Sequence, residues 1–188
     1  LIGSVSAVHQ SVEHETWLDY WRSPEVAVVT ITVTEAGYCR GADGGLDLTD
    51  ATVAADLETL RTEPTGLVRS APARLLAGIL ARAEAGGSPL AVFSCDNLPE
   101  NGRVAERVVT DLAGALGPDA VAAVAPHSWV TSMVDRITPR ATESEIAAVA
   151  TLTGFEDRVP VVTEPFVEWV VSGDFPAGRP DWQGGTFV

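Results

Sequence analysis

The sequence predicts an α/β fold with a mainly parallel sheet. Two observations carry that expectation: apolar, β-branched runs at 25–34 and 89–95, and a helically spaced segment after each of them. Strands that alternate with helices return to one sheet in parallel, because the helix carries the chain back across its face. A third observation sets the scale. With 188 residues, 46% hydrophobic and 20% charged, the chain has the proportions of a globular domain and can bury a core without staples.

Leu1 to Val8 reads as an apolar strand, so the chain is expected to begin inside the fold. Glu25 to Thr34 is apolar on both faces, as a buried parallel strand is, and runs into Thr34-Glu35-Ala36-Gly37-Tyr38. Gly41-Ala42-Asp43-Gly44-Gly45 is a loop. Leu48 to Arg61 has helix spacing, with Thr49 or Asp50 as its N-cap, and Pro64 and Gly66 stop it. A helix from Ala71 to Ala85 opens at Ser70 with Pro72 in its first turn and ends at Gly86-Gly87.

Pro89 to Cys95 is a short strand, residues 96–102 form a polar turn, and Arg103 to Leu116 is a helix. A short helical stretch follows Gly117-Pro118 as far as Val124, whereas 126–137 shows no decisive period. Thr142 and Glu145 form a capping box for a helix ending at Gly154. Val159 to Phe166 reads as a strand that Glu168 to Val171 continues after a bend at Pro165. The tail from Gly173, with four glycines and two prolines, reads as a connector. The expected division is therefore 1–172 as one domain and 173–188 as a linker.

The net charge is −14, and all 12 basic residues are arginines. Without a lysine, this chain offers no Schiff base, no Walker lysine and no lysine general base. The acidic balance argues against nucleic acid or an anionic membrane as partner, since each carries a field of the same sign. Cys39 and Cys95 are too few for a disulfide framework and are read as reduced, in a cytoplasmic protein. No apolar stretch approaches the roughly 20 residues that span a bilayer. His9, His14 and His127 lack the close spacing of a metal motif, so no metal is expected.

Four segments could carry chemistry. Ser94-Cys95-Asp96-Asn97-Leu98-Pro99-Glu100-Asn101-Gly102 stands at the carboxyl end of a buried strand, where open parallel sheets bind ligands. Its amides and carboxylates suit ribose or sugar hydroxyls, although helix capping by Asp96 or Asn97 explains the same residues. Glu35, Gly37 and Tyr38 end the first strand in the same way, with loop capping as the plainer account. Thr131, Ser132, Asp135 and Arg136 surround the only methionine, with a structural Asp135 and Arg136 charge network as the plainer account and ligand contacts from Thr131 or Ser132 as the sharper one. Glu164 follows an apolar run and would titrate high if desolvated. No Gly-x-Gly-x-x-Gly follows a strand, and no serine stands in Gly-x-Ser-x-Gly.

Taken in order, these segments resemble the long-chain polyol dehydrogenases, the family of mannitol 2-dehydrogenase and mannonate oxidoreductase (fructuronate reductase). The resemblance runs through Thr-Val-Thr-Glu-Ala-Gly-Tyr at 32–38, Ser-Cys-Asp-Asn-Leu-Pro-Glu-Asn-Gly at 94–102 and Ser-Met-Val-Asp-Arg-Ile-Thr-Pro at 132–139. It continues through Val-Thr-Glu-Pro-Phe-Val-Glu-Trp-Val at 162–170 and Asp-Phe-Pro-Ala-Gly-Arg-Pro-Asp-Trp at 174–182.

The resemblance implies a Rossmann-like cofactor domain, truncated at its amino end and lacking the helical catalytic domain. It also implies NAD as cofactor, with NADP left open, and a sugar acid or polyol as substrate. Glu35, Gly37, Tyr38, Ser94, Cys95, Asp96 and Asn97 would line the nicotinamide and ribose side, and Asn101 would hold the second turn in shape. Thr131, Ser132, Asp135, Arg136 and Glu164 would wall the substrate pocket. The family's catalytic Lys-x4-Asn-x2-His is absent, so no catalytic residue is assigned here and the base is expected on the chain's own carboxyl-terminal catalytic domain. Thr131 stands where the family often has a substrate-polarising Asn. Ser172-Gly173 replaces an acidic pair. Glu100 and the missing Asn favour mannonate and fructuronate over mannitol and fructose. Two other readings stand beside this one: a non-catalytic sugar- or nucleotide-binding module, and carboxylate chemistry by Asp96, Glu100 and Glu164.

Overall fold

The structure is a computed structural model that describes residues 3–135, 138–166 and 168–182; the side chain of Asp135 lies outside that set. In chain order the elements are α1 (His14–Arg22), β1 (Val28–Ile31), a 3-10 helix (Glu35–Tyr38), α2 (Ala51–Thr62), α3 (Ala71–Glu84) and β2 (Ala91–Ser94). There follow α4 (Asn101–Leu116), α5 (Pro118–Val124), β3 (Ser128–Asp135), α6 (Glu143–Thr153) and β4 (Glu168–Ser172). The chain divides into two compact units, one of Leu1–Ser132 with Val171–Val188 and one of Met133–Val170.

The four strands form a sheet in the order β1-β2-β3-β4. Val28 pairs with Ala91 and Ile31 with Ser94, in parallel; Ala91 pairs with Ser128 and Phe93 with Val130, again in parallel. This is the open, mainly parallel α/β sheet of a Rossmann-like fold, as expected. β2 is buried along its whole length, because it has a strand on each side and a packed layer on each face.

Side chains alternate across β2, and the two faces are covered differently. Leu90 and Val92 join the large core, packed with Leu57 and Leu60 of α2, Leu76 and Ile79 of α3, and Val108 and Leu112 of α4. Ala91 and Phe93 face the other way, into a small cluster with Val130 and Val171. The tail completes that cluster: Phe175 meets Phe93 edge-on at 5.9 Å, and Trp182 meets Phe175 at 5.6 Å. Phe175 and Trp182 thus pack on the Phe93 side of β2.

Helix caps largely follow the local chemistry. The Asp50 carboxylate accepts from the Thr52 and Val53 amides, which decides between the two candidate caps of α2. Thr142 and Glu145 form the expected capping box, and Gly154 ends α6 with φ 75°. Ser70 precedes α3 with Pro72 in the first turn, but its hydroxyl goes to the buried Asp56 carboxylate instead of capping.

α1 had no counterpart in the sequence reading. Leu18 and Trp21 are its buried stripe, and Trp21 lies so close to α3 that a Cβ on Gly78 would stand 2.3 Å from the indole. Arg82, almost wholly buried, donates to the carbonyls of Trp21 at 2.9 Å, Ser23 at 3.0 Å and Ser88 at 2.6 Å. Its charge thereby satisfies the acceptor end of α1, where a cation suits the helix dipole.

Three expected strands are corrected. Among residues 3–8 there is no strand, and Val5 and Val8 are exposed, because no ladder partner lies beside them. The run 25–34 is a strand only over Val28–Ile31 and is half-buried, since its extent is set by pairing with β2 on one side. Residues 159–166 are irregular and mostly exposed, as β propensity without a neighbouring strand makes no ladder. The undecided 126–137 contains β3, and α4 begins at Asn101, two residues earlier than read.

Candidate functional site

Parallel strands in register end on one edge, and here β1 and β2 end level: the Cys95 amide donates to the Ile31 carbonyl at 2.8 Å. Two turns leave that edge, 32–39 from β1 and 95–101 from β2. Ligands of open α/β sheets bind at such carboxyl ends.

The first turn is the 3-10 helix Glu35–Tyr38. The Gly37 amide donates to the Thr34 carbonyl at 2.8 Å, and Cys39 closes the turn in the left-handed region at φ 53°. Glu35 is exposed and pairs with Arg40 at 2.8 Å. Beside this turn lies an open cavity of about 910 Å³ lined by Thr34, Glu35, Cys39, Arg40, Gly41 and Asp47, among others. The Arg40 Nε is buried without a hydrogen-bond partner among the described residues. Arg40 was not singled out in the sequence; its position five residues after Glu35 is the signal that could have done so.

Tyr38 points inward. It is 2% exposed, and its hydroxyl donates to Oδ2 of Asp96 on the second turn. Burial, reinforced by the Asp96 carboxylate, pushes the phenol far above its ordinary range, so it remains a donor at any physiological pH. Asp96 Oδ1 accepts from the Leu98 amide at 3.1 Å, so both carboxylate oxygens are engaged. Asn97 is exposed and makes no side-chain hydrogen bond among the described residues.

Behind the turn lies a buried polar network. Asn101 Nδ2 donates to the carbonyls of Asp96 at 2.8 Å and Ser132 at 3.0 Å, while its Oδ1 accepts from the Ser132 amide at 3.0 Å. The Ser132 hydroxyl donates to the Ser94 carbonyl at 2.7 Å, and the Ser94 hydroxyl to the Asn101 carbonyl at 3.4 Å. Buried amides and hydroxyls are tolerated only when paired in this way. Ser94, Asn101 and Ser132 therefore frame the edge, with their polar atoms spent on one another and on the Asp96 carbonyl. Gly102 lets α4 start directly over β3: a Cβ there would lie 2.6 Å from the Val130 carbonyl carbon and 2.7 Å from Thr131 Oγ1.

Both thiols sit in environments that disfavour the thiolate. Burial raises Cys95, with the Asp96 charge adding to it; burial also raises Cys39, followed by Asp50, Asp56 and Asp47.

Glu164 belongs to the unit Met133–Val170, and Thr131 and Ser132 to the other unit. Arg136 and the side chain of Asp135 fall outside the described residues. Among the described residues no cluster of three or more His, Cys, Asp or Glu could hold a metal ion, and no helix is long and apolar enough to cross a membrane.

Comparison with known proteins matches residues 1–184 to the mannitol dehydrogenase Rossmann domain. D-mannonate oxidoreductase of Escherichia coli (strain K12) is 38% identical over 194 residues, covering 100% of this chain and 39% of that protein. Mannitol 2-dehydrogenase of Cereibacter sphaeroides is 40% identical over 158 residues, covering 84% and 32%. A solved Pseudomonas fluorescens mannitol 2-dehydrogenase, a ternary complex with NAD and D-mannitol, aligns with a TM-score of 0.80 at 31% identity, covering 99% of this chain and 37% of that one. The chain spans less than two fifths of the length of these relatives.

Proposed function

Because the chain belongs to the mannitol dehydrogenase family through its Rossmann domain, we propose that it is the cofactor-binding portion of an NAD-dependent oxidoreductase interconverting a polyol or aldonate and its keto sugar. The observation that carries the proposal is the pair of turns leaving one edge of β1 and β2, with exposed Glu35 on one and exposed Asn97 on the other. A carboxylate and an amide on adjacent strand ends suit the hydroxyls of a ribose. The donor set therefore fits the nicotinamide and ribose half of the cofactor. No glycine turn of the Gly-x-Gly-x-x-Gly kind follows a strand in these residues, so the pyrophosphate is assigned to none of them.

When bound, the dinucleotide supplies the hydride donor or acceptor. This chain's residues bind and orient it: Glu35 accepts from ribose hydroxyls, Gly37 admits close backbone approach, and Cys95 and Asn97 border the ring side. Tyr38, Ser94, Asp96 and Asn101 keep the two turns in place. On the sequence motif alone, Thr131 is assigned to the substrate oxygen through its hydroxyl, and Asp135, Arg136 and Glu164 are assigned to the substrate pocket. With no lysine in the chain, the proton acceptor for the substrate hydroxyl comes from the remaining length of a larger protein, whose relatives are more than twice as long. Such an enzyme works in the cytoplasm. Glu100 and Thr131 favour the mannonate and fructuronate pair over mannitol and fructose.

Steady-state turnover of the full-length protein tests this reading, with fructuronate, tagaturonate and fructose each offered with NADH and with NADPH. Oxidation of NADH fastest with fructuronate is expected. Turnover of fructose alone would reverse the substrate preference, and no turnover with any of them would leave a binding module in place of the enzyme.

A further inference from the structure

We propose that Tyr38 and Asp96 are a positioning pair, in which the Tyr38 hydroxyl holds the Asp96 carboxylate inside the fold so that Asn97 is the residue of the second turn that meets the cofactor's ribose. The proposal rests on the cofactor reading above and adds to it which side chain of the turn faces the ligand.

Residue 96 is held at three points. Oδ1 takes the Leu98 amide at 3.1 Å, Oδ2 takes the Tyr38 hydroxyl, and the backbone carbonyl takes Asn101 Nδ2 at 2.8 Å. Two of these partners come from other elements, the 3-10 helix after β1 and the start of α4. Tyr38 is itself buried, 2% exposed and packed in the large core. Its hydroxyl is a donor to a charged acceptor, the stronger class of hydrogen bond. An aspartate so engaged is half-buried with both carboxylate oxygens committed to protein donors.

The consequence falls on the next residue. With Asp96 fixed and the Leu98 amide tied back to it, the turn projects Asn97, whose side chain is exposed and makes no hydrogen bond among the described residues. An amide both donates and accepts, so it can serve either ribose hydroxyl. The same hydroxyl-to-carboxylate bond joins the two turns, so the spacing of Glu35 from Asn97 depends on it.

The test uses the full-length protein and Tyr38→Phe, Asp96→Ala, the double variant and Asn97→Ala. NADH is titrated by tryptophan quenching, with parallel kinetics and amide hydrogen exchange. Tyr38→Phe is expected to raise the NADH Kd about tenfold, the size of one charge-assisted hydrogen bond, and to raise KM for NADH while kcat falls less than about twofold. The double variant should bind no worse than the weaker single variant, as coupled partners do. Asn97→Ala should weaken binding to a similar degree without altering exchange at Leu98.

A large loss in Asp96→Ala together with unchanged binding in Tyr38→Phe would make Asp96 the direct ligand and overturn the proposal. So would normal binding in Asn97→Ala. Failure of the wild type to bind NADH would instead remove the cofactor reading. In that event the exchange arm still tests the pair: Tyr38→Phe should speed exchange of the Leu98 amide about tenfold or more, and unchanged protection would refute it.

Discussion

Asn101 and Ser132 exchange reciprocal hydrogen bonds, side-chain amide to backbone carbonyl and backbone amide to side-chain carbonyl, each at 3.0 Å. One asparagine at the start of α4 thus completes the edge of β3 and, through the Asp96 carbonyl, the end of β2. Asn101→Ala should leave two buried backbone groups of Ser132 and the part-buried Asp96 carbonyl without this partner and cost about 2–4 kcal/mol in urea unfolding. Asn97→Ala, at an exposed site, should change stability by less than about 0.5 kcal/mol.

The approach of α1 to α3 is set by Gly78. A Cβ there would meet the Trp21 indole at 2.3 Å, so Gly78→Ala should destabilise by about 1–3 kcal/mol through overpacking. Gly114 in α4 has open space around its would-be Cβ and is the natural contrast. Gly114→Ala should raise stability by about 0.5–1 kcal/mol, seen as a higher Tm.

The His127 ring should make stability depend on pH. Burial, with the Arg82 charge adding to it, lowers its pKa from the ordinary 6.5, and Nδ1 accepts the Leu90 amide at 3.2 Å, which only an unprotonated nitrogen can do. The unfolded chain therefore takes up the proton first as pH falls. Stability from this residue is whole above about 6.5, declines below it by at most about 1.4 kcal/mol per pH unit, and levels off below the folded-state pKa. Urea midpoints measured across this window should fall less steeply in His127→Gln than in the wild type.

Cys39 and Cys95 should both resist alkylation in the folded protein at neutral pH. Burial and nearby carboxylates keep both as thiols, and the thiolate is the reactive form. Mass spectrometry after iodoacetamide should find both sites slow until denaturant is added, and rapid modification of either would contradict the environment described.

Where signals are local, the sequence was readable. Asp50 before α2, Pro72 in α3, the Thr142 and Glu145 box and Gly154 each act within a few residues, and the helices they bound lie where expected. Strand limits depend on a partner. The β-branched run continues to Thr34, yet β1 stops at Ile31, opposite Ser94 of β2. The stripe of α1, with Leu18 and Trp21 three apart in a short polar segment, gains meaning only against Gly78, far along the chain. The two candidate turns were legible as turns at strand ends. The division of labour within them was not, because the Tyr38 to Asp96 bond spans 58 residues and the Asn101 to Ser132 bonds span 31. No spacing rule reports such contacts.

The proposed cofactor site is the carboxyl edge shared by β1 and β2. Amide hydrogen exchange of the full-length protein with and without saturating NADH tests it most directly. Added protection at residues 35–37 and 96–98 is the expected result. Protection confined to other segments, with both turns unchanged, would contradict it.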